Sequence, residues 1–271
     1  QLKSLGVSGI TALSTAQVQA LNVSSLSGLT SAQLSNLTAS EVGALTTAQV
    51  VALNTVGLSS LTASQVKALT TSAIANLTDA QVGKLSTGQL SALTSSQIQA
   101  LGSAKINQIA SSNISALSTS SLSALTSDQF TNLQSNFLSS LSSVQLGSLS
   151  SSNIAQMSSS QLQAIGTFGI SSLTASQISA IKTSILGVLP QTLISNISTS
   201  AVSGLSSDQV SSLGSTKIGY LSSAQLQSLN SKALMGLSSD QIVSLGTSGI
   251  SALKTSQLSG LTPANIKALS G

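Results

Sequence analysis

A large aliphatic side chain returns every eight residues from Leu5 to Leu269, and the phase never slips. Of these 34 positions 29 are Leu, the exceptions being Ile109, Met157, Ile165, Ile181 and Ile197. Five residues after each stands a second large apolar residue, running Ile10, Val18, Leu26, Leu34, Val42 and onward to Ile266. Only Phe130 departs from Val, Ile or Leu there. A repeat held from end to end restricts the chain to architectures in which each unit buries its apolar face against its neighbours. The expectation is one continuous tandem-repeat solenoid over residues 1–271, without capping repeats.

The repeat length decides between secondary structures. In one continuous helix, spacings of five and three would rotate the apolar stripe by about 80° per octad, so no face would stay buried. In a strand, octad positions 1 and 6 would point to opposite faces. Corners could restore a β-solenoid, which stands as the alternative. A short helix in every octad fits in detail. Position 2 is Ser, Thr, Asn or Gly in 28 of 33 octads, the preference of an N-cap. Three residues on, Gln recurs and completes a capping box, while positions 1 and 6 form the hydrophobic-staple pair. The acids Glu41, Asp79, Asp128, Asp208 and Asp240 all fall in the first turn, where the helix dipole favours them. Pro263 lands at the first helical position, which tolerates it.

Gln at position 5 falls mostly in one phase of 16, from Gln17, Gln33 and Gln49 to Gln257, with Asn113 and Leu193 as gaps. The fold class expected is therefore all-α: a solenoid of one- to two-turn helices, two octads to each 16-residue coil. Helices this short do not stand alone, and stacking is what would hold them.

Composition removes most chemistry. The 271 residues include no Cys, His, Trp or Arg, and only 5% are charged. A Ser-His-Asp or Cys-His centre cannot be built, and the scattered acids offer neither paired carboxylates nor a metal cluster. No enzyme is expected, and no catalytic, cofactor or metal residue. Nine Lys give a net charge of +4, but they stand singly and far apart along the chain. Phe130, Phe137, Phe168 and Tyr220 are the only aromatics. That is no nucleic-acid surface. No apolar run approaches the roughly 18 residues that a spanning helix needs, so no transmembrane segment is expected.

Irregularities mark several places. The segment Ile181 to Ile197 places Ile185, Val188 and Leu193 where other octads have Gln or Ala, and Pro190 at a cap; local repacking is expected, or a lateral contact or bend. Phe130 is core by register; Phe137, Phe168 and Tyr220 read as packing exceptions. Asn22, Asn36, Asn76, Asn113 and Asn196 head N-x-S/T sequons, and the hydroxyl-rich composition suits O-linked glycan as well. The chain enters at Gln1 in mid-octad and stops at Leu269-Ser270-Gly271, early in another. The expectation is either a window of a longer array or ends that meet other copies head to tail, a contact that grows open filaments.

The pattern L-[ST]-x-x-Q-[VIL]-x-x, as in Leu45-Thr46-Thr47-Ala48-Gln49-Val50 and Leu61-Thr62-Ala63-Ser64-Gln65-Val66, resembles tandem arrays of very long bacterial secreted and cell-surface proteins. The resemblance covers the whole chain and is compositional. It implies an extracellular or cell-surface location and a structural role as fibre or filament, with self-association head to tail or laterally. The alternative it leaves is a stalk or binding module of an adhesin, meeting carbohydrate or an ice-like surface.

Overall fold

A computed structural model of the chain describes residues 4–269. Among them 67% is helix and no strand occurs, which settles the choice between the two solenoid readings in favour of helices. Nearly every octad carries one helix of four to seven residues, such as Ala63–Ala68 or Thr71–Ala75, and Ser111–Ala116 is a 3₁₀ turn. The expected caps are present. Thr62 Oγ1 accepts from Gln65 N at 3.3 Å, and Gln65 Oε1 accepts in return from Thr62 N at 2.6 Å. The same reciprocal pair recurs at Ser14, Thr46, Thr94, Thr174 and Ser238, among others.

The number of helices per coil corrects the sequence reading. A helix stacks on the third one along, not the second: Ala39–Gly43 packs on Ala63–Ala68, which packs on Thr87–Ala92. A coil therefore takes three octads rather than two. The cause lies in the link. Between helices stand two residues in extended conformation, as at Leu69 (ψ 140°) and Thr70 (ψ 154°). Two such residues turn a corner but cannot reverse the chain, so three corners are needed to close a coil. The two-octad period of Gln is a decoration laid over this backbone. On any one side of the solenoid it recurs only in every second coil, so the full pattern repeats after two coils.

By internal packing the chain divides into two compact units, Gln1–Leu133 and Gln134–Gly271. In the first unit the core is a column of position 1 and 6 side chains, among them Leu61, Val66, Leu77, Ile98 and Phe130, all 3% exposed or less. Phe130 thus fills the core site its register assigns. In the second unit Leu146, Met157, Ile178, Val210 and Leu226 do the same. Burying such side chains contributes roughly 1.5–3 kcal/mol each, and it is this stacking that holds helices too short to persist alone. The expected open ends at Gln1 and at Ser270-Gly271 lie outside the described residues.

Candidate functional site: a glutamine clamp between coils

The most elaborate chemistry in the molecule is at octad position 5, and its best-formed examples are buried. Gln65 is 2% exposed. Its Oε1 caps its own helix, while its Nε2 donates to Leu34 O at 2.9 Å and Leu37 O at 2.6 Å, in the preceding coil. Gln49 reaches Val18 O, Gln19 O and Leu21 O; Gln97 reaches Val66 O, Lys67 O and Leu69 O. In the second unit Gln177 spans to Leu146 O and Leu149 O, Gln209 to Ile178 O and Ile181 O, and Gln257 to Leu226 O and Leu229 O. One buried amide thus ties the N-terminus of its helix to the C-terminal carbonyls of a helix in the coil before. Of each pair the further carbonyl, such as Leu34 O, also accepts a backbone bond, from Leu37 N at 3.3 Å, whereas the nearer, such as Leu37 O, lies past the helix end where helical bonding supplies no partner; burying that one unpaired would be costly. The capping box is legible in the sequence; this second bond is not.

Other side chains at position 5 follow the same logic. Asn113 and Asn265, one methylene shorter, keep only the nearer bond, to Leu85 O and Leu237 O. Ser121 donates to Leu93 O. Lys105 Nζ reaches Ala75 O and Lys217 Nζ reaches Gly187 O. Glu41, 5% exposed, caps Thr38 N through Oε2 at 2.6 Å. Phe137 and Leu193 fill the site with buried apolar surface. Asn153 is buried with its Nδ2 unpaired.

The glycines at position 2 do not all act as the N-caps their place suggests. Gly102, Gly166, Gly214 and Gly246, together with Asn54, have φ between 52° and 72°. Positive-φ backbone here ends one helix and starts the next directly, so that Ser239–Ala252 is two short helices separated by the non-helical Gly246 (φ 63°, ψ −178°). Asn54 still caps from this conformation, its Oδ1 accepting from Val56 N and Gly57 N.

The remaining expected features are dispersed. In the Ile181 to Ile197 segment Leu193 repacks into the core at 4% exposed, Ile185 is half-buried, and Val188 is 63% exposed. Of the three aromatics outside the core register, Phe137 is buried, whereas Phe168 and Tyr220 stand 66% and 54% exposed. Of the sequon asparagines, Asn22, Asn36, Asn76 and Asn196 are on the surface and Asn113 is half-buried. Asn36, Asn76 and Asn196 each donate Nδ2 to the carbonyl four residues back. A shallow groove of about 490 Å³ in the first unit is lined by Ser31, Thr55, Val56, Ser59, Ser60 and Lys84. Among the described residues no three of His, Cys, Asp or Glu come together as metal ligands, and no helix is long and apolar enough to cross a membrane. No family model and no curated protein sequence matches the chain.

Proposed function

We propose that this chain is a structural protein, a non-catalytic scaffold that works outside the cell as part of a fibre or filament. The observation that supports this reading is the placement of the buried polar groups. In an enzyme such groups converge on a pocket; here, within each unit, they are spaced along the stack and join a coil to the one before it. Each coil presents on one edge what its other edge receives, and that self-complementarity suits a protein whose partner is more of itself. The resemblance to bacterial surface arrays favours the location, and Asn36, Asn76 and Asn196 on the surface would carry glycan there.

Electron microscopy of the full chain tests the reading. Continuous filaments with an axial repeat of about 10 Å, the spacing of packed helices, are expected. Isolated particles at every concentration would instead favour a stalk or binding module. The groove beside Val56 and Lys84, lined with Ser and Thr hydroxyls, supports that second reading and would take a polyol or sugar. A mass equal to that of the bare polypeptide, measured on protein from the native source, would remove the glycan.

A further inference from the structure

Octad position 5 carries a donor wherever a corner of the coil is clamped, but in the octad 53–60 of the first unit it is Gly57. The helix of that octad, Asn54–Ser60, packs on Ser31–Ser35 in the coil before. By the spacing of the other clamps, a side chain at position 57 would reach Leu26 O, Ser27 O and Leu29 O, which stand 31, 30 and 28 residues before it. Leu26 O accepts from Leu29 N at 3.1 Å. Nothing among the described residues donates to Ser27 O or Leu29 O, and Leu29 is 8% exposed. Gly57 leaves a notch of about 60 Å³ at this corner, lined by Leu26, Ser27, Leu29, Asn54 and Val56 among others. One water-sized group needs only about 10–15 Å³. Ser31 and Val56 line both the notch and the groove of about 490 Å³ that Lys84 borders, so the one opens into the other.

What fills such a corner elsewhere indicates what this one takes. Behind the ordinary caps it is an amide. In the octads of Gly102 and Gly214, where position 2 has positive φ, it is an ammonium: Lys105 Nζ and Lys217 Nζ donate to Ala75 O and Gly187 O, 30 residues back. Asn54 has positive φ as well, 52°, and Ser27 O is the corresponding carbonyl. We propose that the notch binds the ammonium group of an amino sugar whose ring lies in the groove. The ammonium donates to Ser27 O and Leu29 O, in charge-assisted bonds that a neutral hydroxyl does not equal. The ring hydroxyls meet Ser31, Thr55, Ser59 and Lys84, and an apolar face of the ring covers Val56, which is 68% exposed. The groove is within the range of volumes that hold small molecules. This inference rests on the reading of the groove as a sugar site, and it holds whether or not copies of the chain assemble.

Calorimetric titration of the full chain at about pH 6, where such an amine is charged, compares glucosamine, glucose and hexylamine. Glucosamine is expected to bind roughly tenfold more tightly than either of the others. Gly57→Lys supplies a tethered ammonium of the kind that Lys105 provides in its own octad, and it should abolish the preference for glucosamine while leaving glucose unaffected. Val56→Lys, at an exposed side chain where notch and groove meet, should weaken glucosamine as much, and it replaces Gly57→Lys where circular dichroism shows that the latter loses helix. Glucosamine that binds no better than glucose, or a preference that survives both variants, would overturn the notch and leave the sugar reading of the groove standing. Hexylamine as tight as glucosamine would overturn the sugar. A wild type that binds none of the three would overturn both.

Discussion

At the scale of the residue, the amide of Gln65 answers groups in two coils at once, and its loss should cost more than the loss of a cap alone. Gln65→Leu keeps the volume but strands Thr62 N, Leu34 O and Leu37 O of their side-chain partner. Leu34 O keeps its bond from Leu37 N, but Leu37 O and Thr62 N lose theirs, and a loss of about 2–4 kcal/mol is expected. Thr62→Ala removes only the cap and should cost about 1 kcal/mol. Urea unfolding of the two variants checks the order; equal losses would mean that the inter-coil bond contributes nothing. Half of this residue's work was legible in the sequence. Ser or Thr three places before Gln is a pattern of neighbours. The other half depends on backbone carbonyls a whole coil away, and a carbonyl leaves no mark in the choice of side chain.

At the scale of the element, two kinds of glycine serve the short helices for different physical reasons. Gly102 has open space around a notional Cβ but a φ of 72°. Gly102→Ala is expected to cost about 1–2 kcal/mol from left-handed backbone strain, and Gly102→Asn much less, since Asn54 adopts that conformation already. Gly236 has ordinary φ, but a Cβ there would collide with Ser207 O in the adjacent coil. Gly236→Ala should cost about 1–3 kcal/mol by overpacking, and Gly236→Asn no less. Thermal unfolding of the four variants distinguishes strain from collision. The sequence did carry a sign of the left-handed positions. Wherever position 2 turns left-handed, position 5 is Gly or Lys and never Gln: Asn54 with Gly57, Gly102 with Lys105, Gly166 with Gly169, Gly214 with Lys217, Gly246 with Gly249. Taken one position at a time these glycines pass for caps; taken in pairs they stand apart from every cap except Gly6, which has Gly9 at position 5 and yet an ordinary φ of −58°.

At the scale of the whole molecule, the octad is the quantum and the coil is its consequence. Inserting one whole octad after Ala68 shifts which helices meet but gives every helix a partner of the same kind, so helicity and unfolding temperature should change little. Inserting half an octad places position 1 leucines against helix backbone and should unravel the first unit locally; far-ultraviolet circular dichroism reads the loss. The period of eight was plain because core side chains enforce it. Three octads per coil were not, because the angle turned by a two-residue link is a property of backbone. The clamps also carry a direction. Gln49, Gln65, Gln97, Gln177, Gln209 and Gln257 all bind carbonyls that precede them in the chain. In terms of time, a helix leaving a ribosome finds its clamp partners already made. The chain can solidify from its first residues onward without waiting for its last, since a clamp such as that of Gln65 spans only 28 to 31 residues.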